Sequence, residues 1–151
     1  MRLVVQRVTR AAVMAGGQTL GAIERGAVIL IGIEGADTAE LVDRMADKLL
    51  GLRFFEDEDG LTNLAIDAVG GAYLVVSQFT LLADLRRGRR PGFANAAAPD
   101  VAEPLVDRFV ARLREAGCQV ATGRFGAAMS VELVNDGPFT LLLDSGSDLA
   151  G

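Results

Sequence analysis

The chain has 151 residues, half of them apolar, a formal net charge of −5 and no histidine. Without histidine there is no Ser-His-Asp or Cys-His relay and no imidazole zinc site, so any hydrolysis has to use other groups. The longest strongly apolar stretch, residues 27–33, is far shorter than the roughly 20 residues that cross a bilayer. A single cysteine agrees with a reducing compartment, and we expect one cytoplasmic domain over residues 1–145.

The first third of the chain predicts a hairpin, a buried strand and a helix. Strand-like sequence begins at Arg2 and reaches Gly16-Gly17, a glycine pair typical of a hairpin turn. Residues 27–33 are uniformly apolar, as in a buried strand. We predict that a helix begins at Asp37. Its apolar residues recur at every fourth position, at Leu41, Met45 and Leu49.

The remaining elements predict an α+β fold. Residues 52–55 and 73–79 are interpreted as strands, and a second helix starts near Asp100. Two closing strands, 129–134 and 139–143, flank a sequence of turn residues, NDGP. This order favours helices covering one face of a largely antiparallel or mixed sheet. We expect the polar tail, 146–151, to be disordered.

A polar segment at the end of a buried strand is the first candidate site. Ser77-Gln78-Phe79-Thr80-Leu81 follows apolar residues, and main-chain N–H groups that lose their ladder partners at a strand end can form an oxyanion hole. Ser77 and Thr80 offer hydroxyls, and Gln78 offers an amide that donates and accepts. An ordinary strand end with capped polar groups is the alternative interpretation.

A basic loop directly after that segment is the second candidate site. It carries Arg86, Arg87, Arg89 and Arg90 in a chain that is acidic overall. Each phosphate contact releases counterions near its own site, so a local cluster can bind RNA despite the net charge. The alternative is a solvated loop.

The acidic run 56–59 is considered as a possible site for a divalent cation. It lacks the distal glutamate of a calcium loop, so a solvated turn is the better interpretation. We predict neither a metal nor a cofactor.

Six segments resemble the D-aminoacyl-tRNA deacylase family, in the same order and over nearly the whole chain. They are RLVVQRV at the N-terminus, GLRFFEDEDG at 51–60, VVSQFTL at 75–81, RRGRRP at 86–91, TGRFGAAM at 122–129 and LVNDGPFTLLLDS at 133–145. The resemblance implies a compact fold of α/β/β layers and a homodimer with both active sites at the subunit interface. It implies D-aminoacyl-tRNA as substrate, bound by its 3′ end, and no DNA partner.

The resemblance also implies roles for particular residues. The segment that begins at Ser77 lines the pocket and contacts the aminoacyl group and terminal adenosine through its main chain. Gly137-Pro138 enters from the other subunit with a cis peptide bond and leaves no room for an L side chain. Arg7 packs beside that segment, and Met129 lies near the pocket. Phe139 departs from many relatives, which carry a smaller residue there.

Two mechanisms and three functions stay open at this point. In the first mechanism Thr80 is a nucleophile, although the chain has no histidine to act as its base. In the second, the Phe79 N–H holds the carbonyl oxygen and the substrate's 2′-hydroxyl assists the attack of water, so the Thr80 hydroxyl takes no part. Besides the deacylase, a non-catalytic module that binds the tRNA end and a hydrolase of free D-aminoacyl esters or peptides are considered. The absence of Trp and the single Tyr count against the binding module.

Overall fold

The computed structural model describes residues 1–86 and 88–149. Its strands are β1 Arg2–Ala15, β2 Gln18–Ile23, β3 Gly26–Gly32, β4 Phe55–Glu56, β5 Thr62–Leu64, β6 Ala72–Ser77, β7 Gln119–Thr122 and β8 Ser130–Asp144. Its helices are α1 Ala39–Leu50, α2 Pro99–Glu115 and α3 Ser145–Asp148, with 3₁₀ turns at Asp67–Val69 and Phe79–Leu82. None of the helices in these two ranges is long and apolar enough to cross a bilayer.

Strand β1 organises the main sheet. Along one edge it pairs antiparallel with β8, and along the other it pairs antiparallel first with β3 and then with β2. The sheet continues through parallel β3–β6 and β6–β7 pairs, whereas β4 and β5 form a separate hairpin. The α+β class with a mixed, mainly antiparallel sheet is therefore confirmed.

Two apolar cores lie on opposite faces of this sheet. Helices α1 and α2 cover the first core, to which Met45, Phe109 and Leu3 contribute fully buried side chains. The second core lies where the sheet curls. There β2 approaches β7 so closely that a Cβ on Gly21 would come within 2.8 Å of the Thr122 carbonyl oxygen. The curled sheet with helices on one side agrees with the expected α/β/β layering.

The second helix begins within one residue of its predicted start near Asp100, whereas the first begins later than predicted. Thr38 rather than Asp37 is the N-cap of α1, because the Thr38 side chain accepts a hydrogen bond from the Leu41 N–H at 3.3 Å. Asp37 instead accepts from the Glu34 N–H at 2.7 Å. Helix α2 starts at Pro99, whose fixed φ suits the first helical position. The predicted strand at 52–55 is reduced to Phe55–Glu56.

The predicted turn NDGP is wrong, because β8 runs through it as one strand. Asn135 pairs with Val8 and Thr140 pairs with Gln6, so four residues of β8, 136–139, lie opposite Arg7 alone. The turn residues form a wide bulge instead of reversing the chain. Both flanks are held in line because the long strand β1 pairs with each of them.

The C-terminal residues are more ordered than predicted. Asp144 accepts a hydrogen bond from the Gly146 N–H at 2.9 Å and caps α3, and Arg44 donates to the Leu149 carbonyl at 2.9 Å. The expected disorder is therefore wrong for residues 146–149. Residues 150 and 151 lie outside the described ranges.

We expect Gly26→Ala to lower the free energy of unfolding by at least about 2 kcal/mol, because overpacking a tight contact strains the backbone. A Cβ on Gly26 would overlap the Ala72 carbonyl oxygen, where β3 pairs with β6. The matched control is Gly35→Ala, which meets no atom within 4 Å and should change stability by less than about 0.5 kcal/mol. Urea unfolding of both variants measures the difference, and equal midpoints would contradict the contact.

Candidate functional site

A mostly apolar pocket of about 540 Å³ opens where the parallel strands β3 and β6 end. Crevices beyond the carboxyl ends of parallel strands are common ligand sites. The pocket brings together three of the predicted site residues from one segment with Met129 from another. Its lining includes Ile31, Ser77, Gln78, Phe79, Phe125 and Met129.

The segment after β6 turns at once into the 3₁₀ turn Phe79–Leu82. The Gln78 N–H still donates to the Ile31 carbonyl at 2.8 Å, and the Leu81 N–H donates to the Gln78 carbonyl at 3.3 Å. Because i→i+3 bonding begins only at Leu81, the N–H groups of Phe79 and Thr80 have no acceptor within the turn. The turn therefore leaves two adjacent main-chain donors without a partner of its own, and Phe79 is part of the pocket lining.

The structure places Thr80 differently from its neighbours. Its side chain is exposed and is not part of the pocket lining given by Ser77, Gln78 and Phe79. The Thr80 hydroxyl accepts a hydrogen bond from Gln78 Nε2. An amide N–H cannot take a proton from a hydroxyl, so this contact does not activate Thr80 as a nucleophile.

Arg7 is buried, with 4% of its surface exposed, and it fixes the β8 bulge. Its Nη1 donates to the Phe54 carbonyl at 2.9 Å and its Nε donates to the Asp136 carbonyl at 3.2 Å. The guanidinium also lies over the Phe139 ring, 4.7 Å from its centroid. A Cβ on Gly137 would come within 2.7 Å of Arg7 Nη2. Arg7 therefore packs beside the Gly-Pro segment, as the resemblance implies.

The Gly137-Pro138 segment is exposed at the tip of this bulge. Its peptide bond is trans, so the expected cis bond is wrong for this structure. Gly137 adopts φ +116°, a conformation that L side chains rarely reach. Neither residue belongs to the lining of the pocket in its own chain. Phe139 points inward and stacks on Phe54 with ring centroids 6.3 Å apart, so its size affects the core beneath the bulge.

The basic loop is closed at its base and presents fewer independent cations than predicted. Asp84 and Gly92 form an antiparallel bridge. Asp84 accepts from Arg86 Nε at 2.9 Å and from Nη2 at 2.7 Å, and this pairing holds the pKa of the Asp84 carboxyl well below its usual range. Arg89 and Arg90 are exposed. Arg87 lies outside the described residues.

Two aromatic residues at the pocket were missed by the sequence reasoning. Phe93 packs edge-on against Phe79 with ring centroids 5.0 Å apart, and both rings are exposed at the mouth. Phe125 lines the interior. The low number of Trp and Tyr residues therefore does not count against binding of the tRNA end, because exposed Phe rings can also stack on bases. A PGF sequence directly after the arginines was the available signal.

A metal centre receives no support from the described part of the chain. No group of three or more His, Cys, Asp or Glu side chains is placed to hold an ion among residues 1–86 and 88–149. The acidic run is used locally instead, because Asp57 accepts from the Asp59 and Leu61 N–H groups at 3.0 Å each. These bonds lower the pKa of Asp57 and are typical of a solvated turn.

Comparisons with known proteins identify the family of this chain. The sequence profile of the family described as D-Tyr-tRNA(Tyr) deacylase matches residues 4–144. A curated relative from Symbiobacterium thermophilum named D-aminoacyl-tRNA deacylase is 57% identical over 145 residues, 96% of each chain. One from Chloroflexus aurantiacus with the same name is 55% identical, over 96% of this chain and 91% of the relative.

Two solved structures share the fold. A structure titled c-Myc DNA Unwinding Element Binding Protein superposes with a TM-score of 0.90 at 40% identity, over 95% of this chain and 98% of the other. A second, titled as a probable eukaryotic D-amino acid tRNA deacylase, gives a TM-score of 0.84 over 94% and 97% of the two chains. Its identity of 20% supports the fold alone.

We expect Arg7→Met to lower the free energy of unfolding by about 2 kcal/mol, because the Phe54 carbonyl loses its buried donor. Amide hydrogen exchange across residues 135–139 should accelerate, since the Asp136 carbonyl is released as well. Arg10→Met is the control, an exposed arginine on the same strand that should cost less than about 0.5 kcal/mol. Unchanged exchange in the bulge would show that Arg7 does not hold it.

Proposed function

The chain belongs to the D-Tyr-tRNA(Tyr) deacylase family, and we propose on that basis that it hydrolyses the ester bond of D-aminoacyl-tRNA. The products are the free D-amino acid and tRNA, so the reaction removes D-residues before translation uses them. Within the site, the proposal rests on the main-chain N–H groups of Phe79 and Thr80. They make no main-chain hydrogen bond among the described residues, and Phe79 lines an apolar pocket of about 540 Å³. An activated ester needs positioning and oxyanion stabilisation more than a strong nucleophile.

The mechanism uses main-chain groups of the Phe79–Leu82 turn. The Phe79 N–H holds the substrate carbonyl oxygen as water adds to the carbonyl carbon, and the substrate's own 2′-hydroxyl assists that water. The bond from the carbonyl carbon to the terminal ribose oxygen then breaks, and that oxygen takes up the proton that the attacking water has lost. Ser77 and Gln78 line the same wall and orient the aminoacyl group. Thr80 contributes its main chain rather than its hydroxyl, because the hydroxyl is exposed, lies outside the pocket lining and has an amide donor rather than a base as its partner.

Chirality is selected by exclusion, through Gly137-Pro138 of a second subunit. The chain's own bulge is poorly placed for its own pocket. Arg7 lies opposite the bulge and Arg2 lies beside the Phe79–Leu82 turn. The two arginines are five residues apart on β1. They therefore project from opposite faces of the strand and are separated by about 16 Å along it. A rigid segment placed against the substrate Cα admits hydrogen but not an L side chain, and it would not reject glycine.

A homodimer supplies that second segment. Strand β8 pairs only with β1 among the described residues, so its outer edge of 15 residues is open. Leu142 is 66% exposed and Val134 is 40% exposed on this strand. Long edge strands with exposed apolar side chains are prone to association, and the bulge projects from the same edge. We also propose a cytoplasmic location, where aminoacyl-tRNA is made and used.

We expect the wild-type protein to release tyrosine rapidly from D-tyrosyl-tRNA and to leave L-tyrosyl-tRNA at its spontaneous rate. Thr80→Ala should keep kcat within the same order of magnitude, because a side chain that is not the nucleophile can be removed without losing the reaction. Loss of a true nucleophile lowers kcat by orders of magnitude. Labelled amino acid released from matched substrates under single-turnover conditions is the measurement.

Each other outcome of that assay selects a different function or mechanism. Binding of tRNA without release from either substrate would favour the non-catalytic module. Equal hydrolysis of a free D-tyrosyl ester and of D-tyrosyl-tRNA would favour the hydrolase of small substrates. A folded Thr80→Ala variant that binds tRNA but is inactive would leave the function unchanged and show that the Thr80 hydroxyl is needed for the reaction.

The exposed arginines should contribute unequally to tRNA affinity. Replacing Arg89 or Arg90 with Ala should each reduce the slope of log K against log salt by about 0.7–0.9, the value for one phosphate contact. Arg86→Ala should change the slope less, because Asp84 already neutralises that guanidinium through two hydrogen bonds. Titrating deacylated tRNA at several salt concentrations tests this order, and a larger change for Arg86 than for the other two would reverse it.

A further inference from the structure

We propose that Arg2 is a positioning residue for the deacylase site, holding the Phe79–Leu82 turn in the geometry that aims its free N–H groups at the substrate. The inference rests on the proposed function, since it concerns the same site. Arg2 itself lies outside the pocket lining and acts through the main chain of Leu81.

The contact between Arg2 and the turn is direct and anchored. Arg2 Nη1 donates to the Leu81 carbonyl at 3.0 Å, and Arg2 Nε donates to Asp144 Oδ2 at 2.7 Å. Arg2 and Asp144 are cross-strand partners of β1 and β8, so the carboxylate fixes the guanidinium from a rigid element. The Arg2 guanidinium holds the pKa of the Asp144 carboxyl below its ordinary value, as expected for a charge-assisted bond.

Gly32, the partner of Arg2 on the other neighbouring strand, supports the turn from below. It is buried, and a Cβ there would lie 3.1 Å from the Gln78 carbonyl oxygen and 3.2 Å from Leu81 Cβ. The turn therefore lies directly on the bare backbone of β3. Contact from Gly32 and a hydrogen bond from Arg2 restrain it from two directions.

These restraints act on the atoms that the mechanism uses. The Gln78 carbonyl, which lies over the space left by Gly32, accepts from the Leu81 N–H, and the Leu81 carbonyl accepts from Arg2. Both ends of the turn are fixed while the N–H groups of Phe79 and Thr80 between them stay unbonded within it. Donors that are fixed before the substrate arrives stabilise a developing oxyanion best, and sub-ångström shifts of such donors lower rates.

The test compares Arg2→Met, which keeps the apolar stem, with Arg2→Lys, which keeps a cationic donor. Arg2→Met should lower kcat on D-tyrosyl-tRNA by roughly tenfold with KM unchanged, less than the factor of about 10²–10³ for complete loss of one oxyanion donor. Arg2→Lys should recover most of that loss. The amide ¹H–¹⁵N resonances of Phe79 and Thr80 should move in Arg2→Met. The control is Arg108→Met, which removes a comparable exposed pair with Asp43 and should leave kcat and both resonances unchanged.

A second variant covers the case in which Arg2→Met does not fold. Gly32→Ala should move the same two resonances and lower kcat, because its Cβ would displace the turn. The control Gly35→Ala adds a Cβ in open space and should do neither. The inference is overturned if Arg2→Met leaves both resonances in place. It is also overturned if that variant raises KM with kcat unchanged, or if Arg2→Lys is no better than Arg2→Met. A wild type inactive on D-tyrosyl-tRNA would refute the proposed function, whereas the resonances would still decide whether Arg2 positions the turn.

Discussion

The pairing of β1 along both of its edges is the constraint on which both parts of the candidate site depend. Strand β8 follows one edge while β3 and then β2 follow the other, so the register of β1 cannot slip without disrupting three partners. Because alternate residues project from opposite faces, this register places Arg2 against the Phe79–Leu82 turn and Arg7 against the β8 bulge. One strand thereby fixes two distant segments, and in each an arginine of β1 donates a hydrogen bond to a main-chain carbonyl.

Reliance on main-chain groups explains how a chain without histidine can support ester hydrolysis. Main-chain N–H groups carry no pKa in the physiological range and need no partner to hold a protonation state, but their effect depends entirely on position. The position of the turn therefore has to be fixed accurately. Gly32 leaves the space for it, and Arg2, anchored by Asp144, binds its Leu81 carbonyl. The same dependence on position applies to Gly137, whose φ of +116° is accessible to glycine.

Local sequence predicted those features that local physics determines. The Gly16-Gly17 hairpin, the buried strand near 27–33 and the strand end at Ser77 all follow from glycine conformations and apolar runs. The β8 bulge does not, because its residues are typical of turns and only the partner strand β1 keeps the flanks aligned. Arg2 was missed for a related reason. Its acceptor lies 79 residues away, and no periodicity within a strand indicates such a contact.

The aromatic pair at the pocket mouth connects the apolar pocket with the basic loop. Phe79 belongs to the Phe79–Leu82 turn, and Phe93 follows the loop that the Asp84–Gly92 bridge closes. Their edge-on contact therefore links the turn that we propose to stabilise the oxyanion with the loop that carries Arg89 and Arg90. Exposed aromatic rings beside cations are the combination that binds single-stranded nucleic acid, which agrees with the proposed binding of the tRNA end. The loop begins two residues after the turn ends. The groups that we propose for RNA binding and for oxyanion stabilisation therefore lie on one short, covalently continuous segment of the chain.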